Sequence, residues 1–402
     1  MTEIRTGFFA YPWDLLDPGP EQVIDQMAND LDCNAVVVCA QYHHARVLRP
    51  RAEGPKTRHY NQALAAFTPN PELYAECGLS PVVNEELVEA QVLNRAREAA
   101  RSRQMDFGFW LVGLHNSSLG EQHPELCVEN CFGDTYTYAL CPSQARSQQY
   151  LQALAQDVCD QFAPDRIVLE AVGVLGLRHW VHHELFMTEW DESLELLTSV
   201  CFCPACTEKG RQAGINVAVL RQQVSGIAEA LFEEERGALP ESFRQGEVPS
   251  LLFEVEGLWD YLQLCTQAVT ELVAGVSQTV RDAGVELETI PASFHRPSSR
   301  AYLERASLQA LSQVSDRLLL SPYFTSAAEV EADLRWVTHA APGANLSAVL
   351  NACAPTPSAG ILAGQAGACI EVGCQGVYFY NYGLLTHRRL GWVGQAIRSI
   401  TK

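Results

Sequence analysis

Eight short apolar runs, each followed by a stretch of helical periodicity or by a long loop that leads into one, limit the folds open to this chain more than any other feature. They are Gly7–Tyr11, Ala35–Tyr42, Phe107–Leu114, Asp165–Glu170, Val285–Ile290, Arg317–Tyr323, Leu346–Asn351 and Gly376–Tyr382. Runs this apolar read as strands buried on both faces, and helical connections of this length permit parallel pairing. The alternation predicts an α/β chain, a (β/α)8 TIM barrel with long loops after strands 2, 3 and 4. An open doubly wound sheet is the alternative. It is disfavoured because no Gly-x-Gly-x-x-Gly turn follows the first run. The 402 residues are read as a single barrel domain, 1–402, with a helix-rich polar insertion at about 207–257.

Polar residues fall where barrel enzymes carry their sites. His43, His115, Asn116, Glu170, His295, Tyr323, Asn351 and Asn381 all lie at or just beyond the carboxyl ends of predicted strands. With Trp13, Tyr42, His183 and Tyr380 they form the expected binding set, because aromatic faces beside hydrogen-bonding groups suit the apolar faces and polar edges of a sugar. Trp110 and Phe109, inside an apolar run, are assigned to the core. Glu170 ends an apolar strand in the presumed cleft, which makes it a candidate for a raised pKa and for proton transfer. Glu288 and Glu184 are the candidates for a second carboxylate.

The most specific spacing is Cys201-Phe-Cys203-Pro-Ala-Cys206. Three thiols this close can converge on one tetrahedral ion if a fourth ligand arrives from Cys141, Cys131, Cys127, His182 or His183, and a site closed by four protein ligands is structural. Between Glu170 and this cluster lie His179, His182, His183 and Glu184. They allow a second reading, a metal-dependent sugar isomerase or lyase. A barrel that binds sugar without catalysis is the third.

The formal charge of −20 argues against nucleic acid and anionic membrane as partners, since both require a basic face. No run approaches the roughly 18 apolar residues of a membrane span. Fourteen cysteines without a recognisable export signal imply reduced thiols and a cytoplasmic protein. The expected partner is a small carbohydrate or glycoside, and self-association is left open.

A strand-ending Glu170 followed by Cys-x-Cys-x-x-Cys resembles the β-galactosidases of glycoside hydrolase family 42. Across roughly residues 105–206, His123-Pro-Glu-Leu and Cys141-Pro-Ser match that family's outline. The resemblance implies a glycoside hydrolase in which Glu170 is the general acid/base. It also implies a structural zinc ion held by Cys141, Cys201, Cys203 and Cys206. Two positions depart from the pattern. Leu169 stands where the family has Asn before its acid/base, and Asn351 stands where it has the nucleophilic Glu on the seventh strand.

Overall fold

The computed structural model describes residues 4–178, 189–233, 248–356 and 358–401. His179, His182, His183 and Glu184 therefore lie outside the described residues, and with them the metal-dependent alternative.

The barrel strands are Arg5–Ala10, Ala35–Tyr42, Asp106–Val112, Arg166–Glu170, Glu286–Thr289, Arg317–Leu320, Leu346–Asn351 and Gly376–Tyr380. Each pairs in parallel with its neighbours. The first pairs with both the eighth (Gly7 with Tyr378) and the second (Phe8 with Val36), which closes the sheet into a TIM barrel. Apolar side chains on the outer faces of the strands pack under the surrounding helices and form one large buried cluster.

The long loops carry secondary structure of their own. After the second strand come a hairpin of Ala45–Leu48 with Thr57–Tyr60 and a two-residue antiparallel strand, Leu64–Ala65, on that second strand. After the third comes a hairpin of Cys127–Glu129 with Thr135–Leu140. The expected insertion supplies the helices Pro204–Gln212, Val217–Phe232 and Val248–Glu254. Together with Glu192–Thr198 and the start of the long helix Leu258–Asp282, they build a second apolar cluster around the cysteines.

The period-two alternation of strands sorts side chains inside the barrel into layers. Toward the amino-terminal end lies an ionic layer. Arg166, fully buried, pairs with Asp106 and stacks over the Tyr378 ring, while Arg5 and Arg317 both bond Glu286, at 2.7 and 2.6 Å. Glu288 belongs here and does not line the cleft, so its expected catalytic role is not supported. It is fully buried, 3.6 Å from Arg5 and 3.7 Å from Arg317, longer than hydrogen bonds. Glu288→Gln is expected to cost about 3 kcal/mol, the lower end for breaking a buried ion pair, because Glu286 still faces both arginines. Denaturant unfolding checks this, and activity is expected to survive.

Candidate functional site

Two to four residues further along the strands, the same inward face opens into a cavity of about 1030 Å³. Phe9, Trp110, Glu170, Val349, Asn351 and Tyr380 reach it directly from the strands. Of the residues singled out in the sequence, Tyr42, His43, His115, Glu170, His295, Tyr323, Asn351 and Tyr380 line it together.

Three expected members do not. Trp13 is fully buried, stacked between Tyr11 and Tyr60 with ring centroids 4.5 Å from each. Asn116 caps the helix Ser117–Gln122 by accepting the Leu119 N–H at 3.0 Å. Asn381 is fully buried and accepts the Gly383 N–H at 3.1 Å. In both asparagine cases a strand-end polar residue serves the turn that follows the strand, as Asn does when local backbone donors are closer than any ligand.

Glu170 is the centre of the cavity wall. Its strand, Arg166–Glu170, turns sharply at Ala171, whose φ of +55° is left-handed and whose N–H donates to Ser293 Oγ at 3.0 Å. The turn presents the carboxyl to the cavity. Trp110 Nε1 donates to Glu170 Oε2 at 2.7 Å, so Trp110, buried in the core as the apolar run suggested, also belongs to the site. Burial pushes the Glu170 carboxyl up to about 7, against the Trp110 hydrogen bond and the nearby Arg296 charge. Arg296 donates to the Ser321, Phe294 and Ser293 carbonyls and lies 4.4 Å over the Tyr323 ring. Burial likewise raises the phenols of Tyr42, Tyr323 and Tyr380. The wall therefore offers a carboxyl that titrates near neutrality among neutral hydroxyls and aromatic faces. His43 stacks on Tyr42 and His115, with centroids 4.0 and 4.1 Å away, which extends the aromatic wall.

In the loop after the neighbouring fifth strand, His295 lies between two carboxylates. Its Nδ1 is 3.0 Å from Glu304 Oε1 and its Nε2 is 3.4 Å from Glu195 Oε1. Glu304, almost fully buried, also accepts the backbone N–H groups of Ser293, Phe294 and His295. Burial lowers the pKa of His295, but its hydrogen bonds to Glu195 and Glu304 outweigh this and raise it to about 9. A His raised above its ordinary 6.5 contributes stability that is complete below 6.5 and lost as pH rises through about 9. Thermal melts between these values should show a loss in the wild type that His295→Gln largely lacks.

Glu195, Trp190 and Arg296 also line the cavity, and sequence reading did not find them. Glu195 sits on the helix Glu192–Thr198, far from any strand end, and accepts the Trp190 indole N–H at 2.6 Å. Trp110 shares the inward face of its strand with Val112, two residues on, the register partner of Glu170.

Beside the cavity, the loops after strands 3 and 4 meet at Cys141, Cys201, Cys203 and Cys206. All four are buried, and their sulfurs lie within 4.8 Å of one another. Cys141 Sγ is 3.5 Å from Cys206 Sγ and 3.7 Å from Cys201 Sγ. A zinc–sulfur bond of about 2.3 Å in tetrahedral geometry puts the sulfurs about 3.8 Å apart, so the residues fit such an ion. The electrostatics agree with this fit. Hydrogen bonds from Cys141, Cys201 and Cys206 hold the Cys203 thiol well below its ordinary range, whereas burial pushes Cys201 up. A central divalent ion would stabilise all four as thiolates. Cys203 caps the helix Pro204–Gln212, and Phe202 N–H donates to Glu129 O at 2.7 Å, which fastens this turn to the preceding hairpin.

No family model matches this chain, and no curated protein matches it. Among solved structures, it superposes on the PgaB (BpsB) glycoside hydrolase domain from Bordetella bronchiseptica with a TM-score of 0.56 at 14% identity, covering 98% of both chains. It superposes on a β-galactosidase from the psychrophilic Marinomonas ef1 with a TM-score of 0.57 at 10% identity, covering 98% of this chain and 59% of that one. At such identities the likeness is one of fold. Among the described residues no helix is long and apolar enough to cross a membrane. The closed sheet, its ring of helices and these superpositions make the chain a TIM barrel, similar in fold to both of those proteins.

Proposed function

We propose that this protein is a glycoside hydrolase-like enzyme that acts on a carbohydrate or glycoside, with Glu170 as its general acid/base. The observation that carries the reading is a carboxyl at the end of the fourth barrel strand, raised to about 7 by burial and open to a large aromatic-walled cavity. A group titrating there can protonate a leaving glycosidic oxygen and then accept a proton from water. The barrels of a glycoside hydrolase domain and a β-galactosidase have the same architecture, which supports the reading.

Hydrolysis ordinarily needs a second carboxylate across the scissile bond. At the seventh strand, Asn351 lines the cavity and its side chain accepts the Cys353 N–H at 2.9 Å. Among the described residues of the cavity wall, Asp191 caps its helix through the Leu194 N–H, and Glu192 bonds Tyr302 and pairs with Arg300. Glu195, which lines the cavity 3.4 Å from His295 Nε2, is the carboxylate we assign to the second role. The relation to family 42 and the zinc ion at the four cysteines belong to this proposal, the zinc as a structural ion with no part in the reaction. Release of nitrophenol from a panel of nitrophenyl glycosides, compared between wild type and Glu170→Gln, tests it.

A further inference from the structure

We propose that the groove around Trp259 is an outer saccharide-binding site that continues the cavity at Glu170, so that the substrate is an oligosaccharide chain and not a single sugar on a small aglycone. The inference rests on the glycoside hydrolase-like reading of that cavity and adds a second binding surface to it.

The groove starts from the sequence of one helix. In Leu258–Asp282, the residues Leu258, Tyr261, Leu262 and Cys265 form the stripe that packs into the apolar cluster around the cysteines. Trp259, Gln263 and Thr266 recur at i, i+4 and i+7 and form the stripe beside it. All three line a groove of about 710 Å³. Across from them stand Tyr302, at the end of the turn Ser298–Glu304, and Ser307 shortly after it.

Trp259 is 51% exposed, although a ring of this size is ordinarily well covered in a folded chain. Among the described residues no other ring stacks on it, and no group bonds the Gln263 side chain. An exposed aromatic face rimmed by an amide and hydroxyls marks a ligand groove. It also repeats the chemistry of the cavity at Glu170, where aromatic faces stand beside hydrogen-bonding groups.

Glu192 joins the two spaces, because it lines both. Its Oε1 accepts the hydroxyl of Tyr302, a groove residue, and its Oε2 is 3.0 Å from Nη2 of Arg300, a cavity residue. The loop after the fifth strand likewise serves both, with Arg296 and Arg300 at the cavity and Tyr302 and Ser307 at the groove. A chain whose reacting bond lies at Glu170 can pass over Glu192 and lay its outer sugars on Trp259. This continuity selects the substrate chain as the occupant over a separate partner. Binding energy from units remote from the reacting bond is expressed at that bond, so truncated substrates lose turnover.

The test is hydrolysis of free oligosaccharides of two to six units, in galactose, glucose and N-acetylglucosamine series, by wild type, Trp259→Ala and Trp259→Phe. In the series that is cleaved, wild-type kcat/KM should rise with chain length by roughly 10-fold, the scale of one stacked aromatic contact. Trp259→Ala should remove that rise, and Trp259→Phe, which keeps a ring, should restore most of it. Calorimetry with the hexasaccharide on Glu170→Gln should show roughly 10-fold weaker binding once Trp259→Ala is added. If Trp259→Ala does not fold, Gln263→Ala on the same exposed stripe carries the comparison. Equal chain-length dependence in wild type and Trp259→Ala overturns the groove and leaves the Glu170 reading standing. Self-association that Trp259→Ala abolishes, with chain-length dependence unchanged, makes the groove an interface between copies and overturns the proposal too. A wild type that cleaves no glycoside of any length overturns the hydrolase reading first, and this inference with it.

Discussion

Glu170→Gln should lower turnover of a hydrolysed glycoside by roughly 10²–10⁴, the usual contribution of general acid–base catalysis, while leaving substrate binding close to wild type. The substitution keeps the shape and the hydrogen bond from Trp110 but removes the transferable proton. The pH profile adds a second reading. The carboxyl is raised to about 7 by burial, so the protonated acid is present below that value and lost above it. The wild-type alkaline limb should fall with an apparent pKa near 7, and the Gln variant should lack that limb. Stability has the same sign. Between the ordinary value of 4.5 and about 7 the folded chain holds a proton that the unfolded chain has released, so this residue's contribution declines with rising pH across that window. Glu195→Gln should also lower turnover, with the Glu170 limb retained. Wild-type rates in Glu170→Gln would show that Glu170 is structural and would return the search to other carboxylates.

Removing the metal should have the second-largest effect. Chelation of the wild type, or Cys203→Ser, is expected to lower zinc content and thermal stability together. With zinc at 1,000 times its dissociation constant, binding to the folded state alone contributes about 4 kcal/mol. The loss should begin where the loops after strands 3 and 4 are fastened together, because the four sulfurs join the hairpin before Cys141 to the turn that starts the helix Pro204–Gln212. That turn follows the helix bearing Glu195, so activity should fall as a secondary effect. Metal-free wild type that melts unchanged would exclude a structural ion, and so would a stable disulfide among these cysteines in reduced protein.

The barrel and Glu170 were legible in the sequence because both depend on local patterns. Apolar runs buried on two faces dictate parallel strands, and a carboxylate closing such a run must emerge at the carboxyl end of the sheet. The three-cysteine spacing was equally local, since Cys201, Cys203 and Cys206 lie within one turn and the start of one helix. Trp110 is in the core as expected, but its place beside Glu170 was not legible because an apolar run shows no preferred face. Its inward direction is set by the register that places Val112 opposite Glu170, and register is a pairing between strands.

The sequence by itself determined the eight-strand alternation, the strand ending on Glu170 and the thiols at Cys201, Cys203 and Cys206. Tertiary structure alone decided which polar residues face the cavity. It buried Glu288 among arginines and turned Asn116 and Asn381 back onto their own turns. It also brought Glu195 and Glu304 to either side of His295 from separate parts of the chain. The physical reason is range: strand periodicity and ligand spacing act over a few residues, whereas burial and charge pairing depend on neighbours hundreds of residues away, as in the Arg398–Asp32 pair, 366 residues apart.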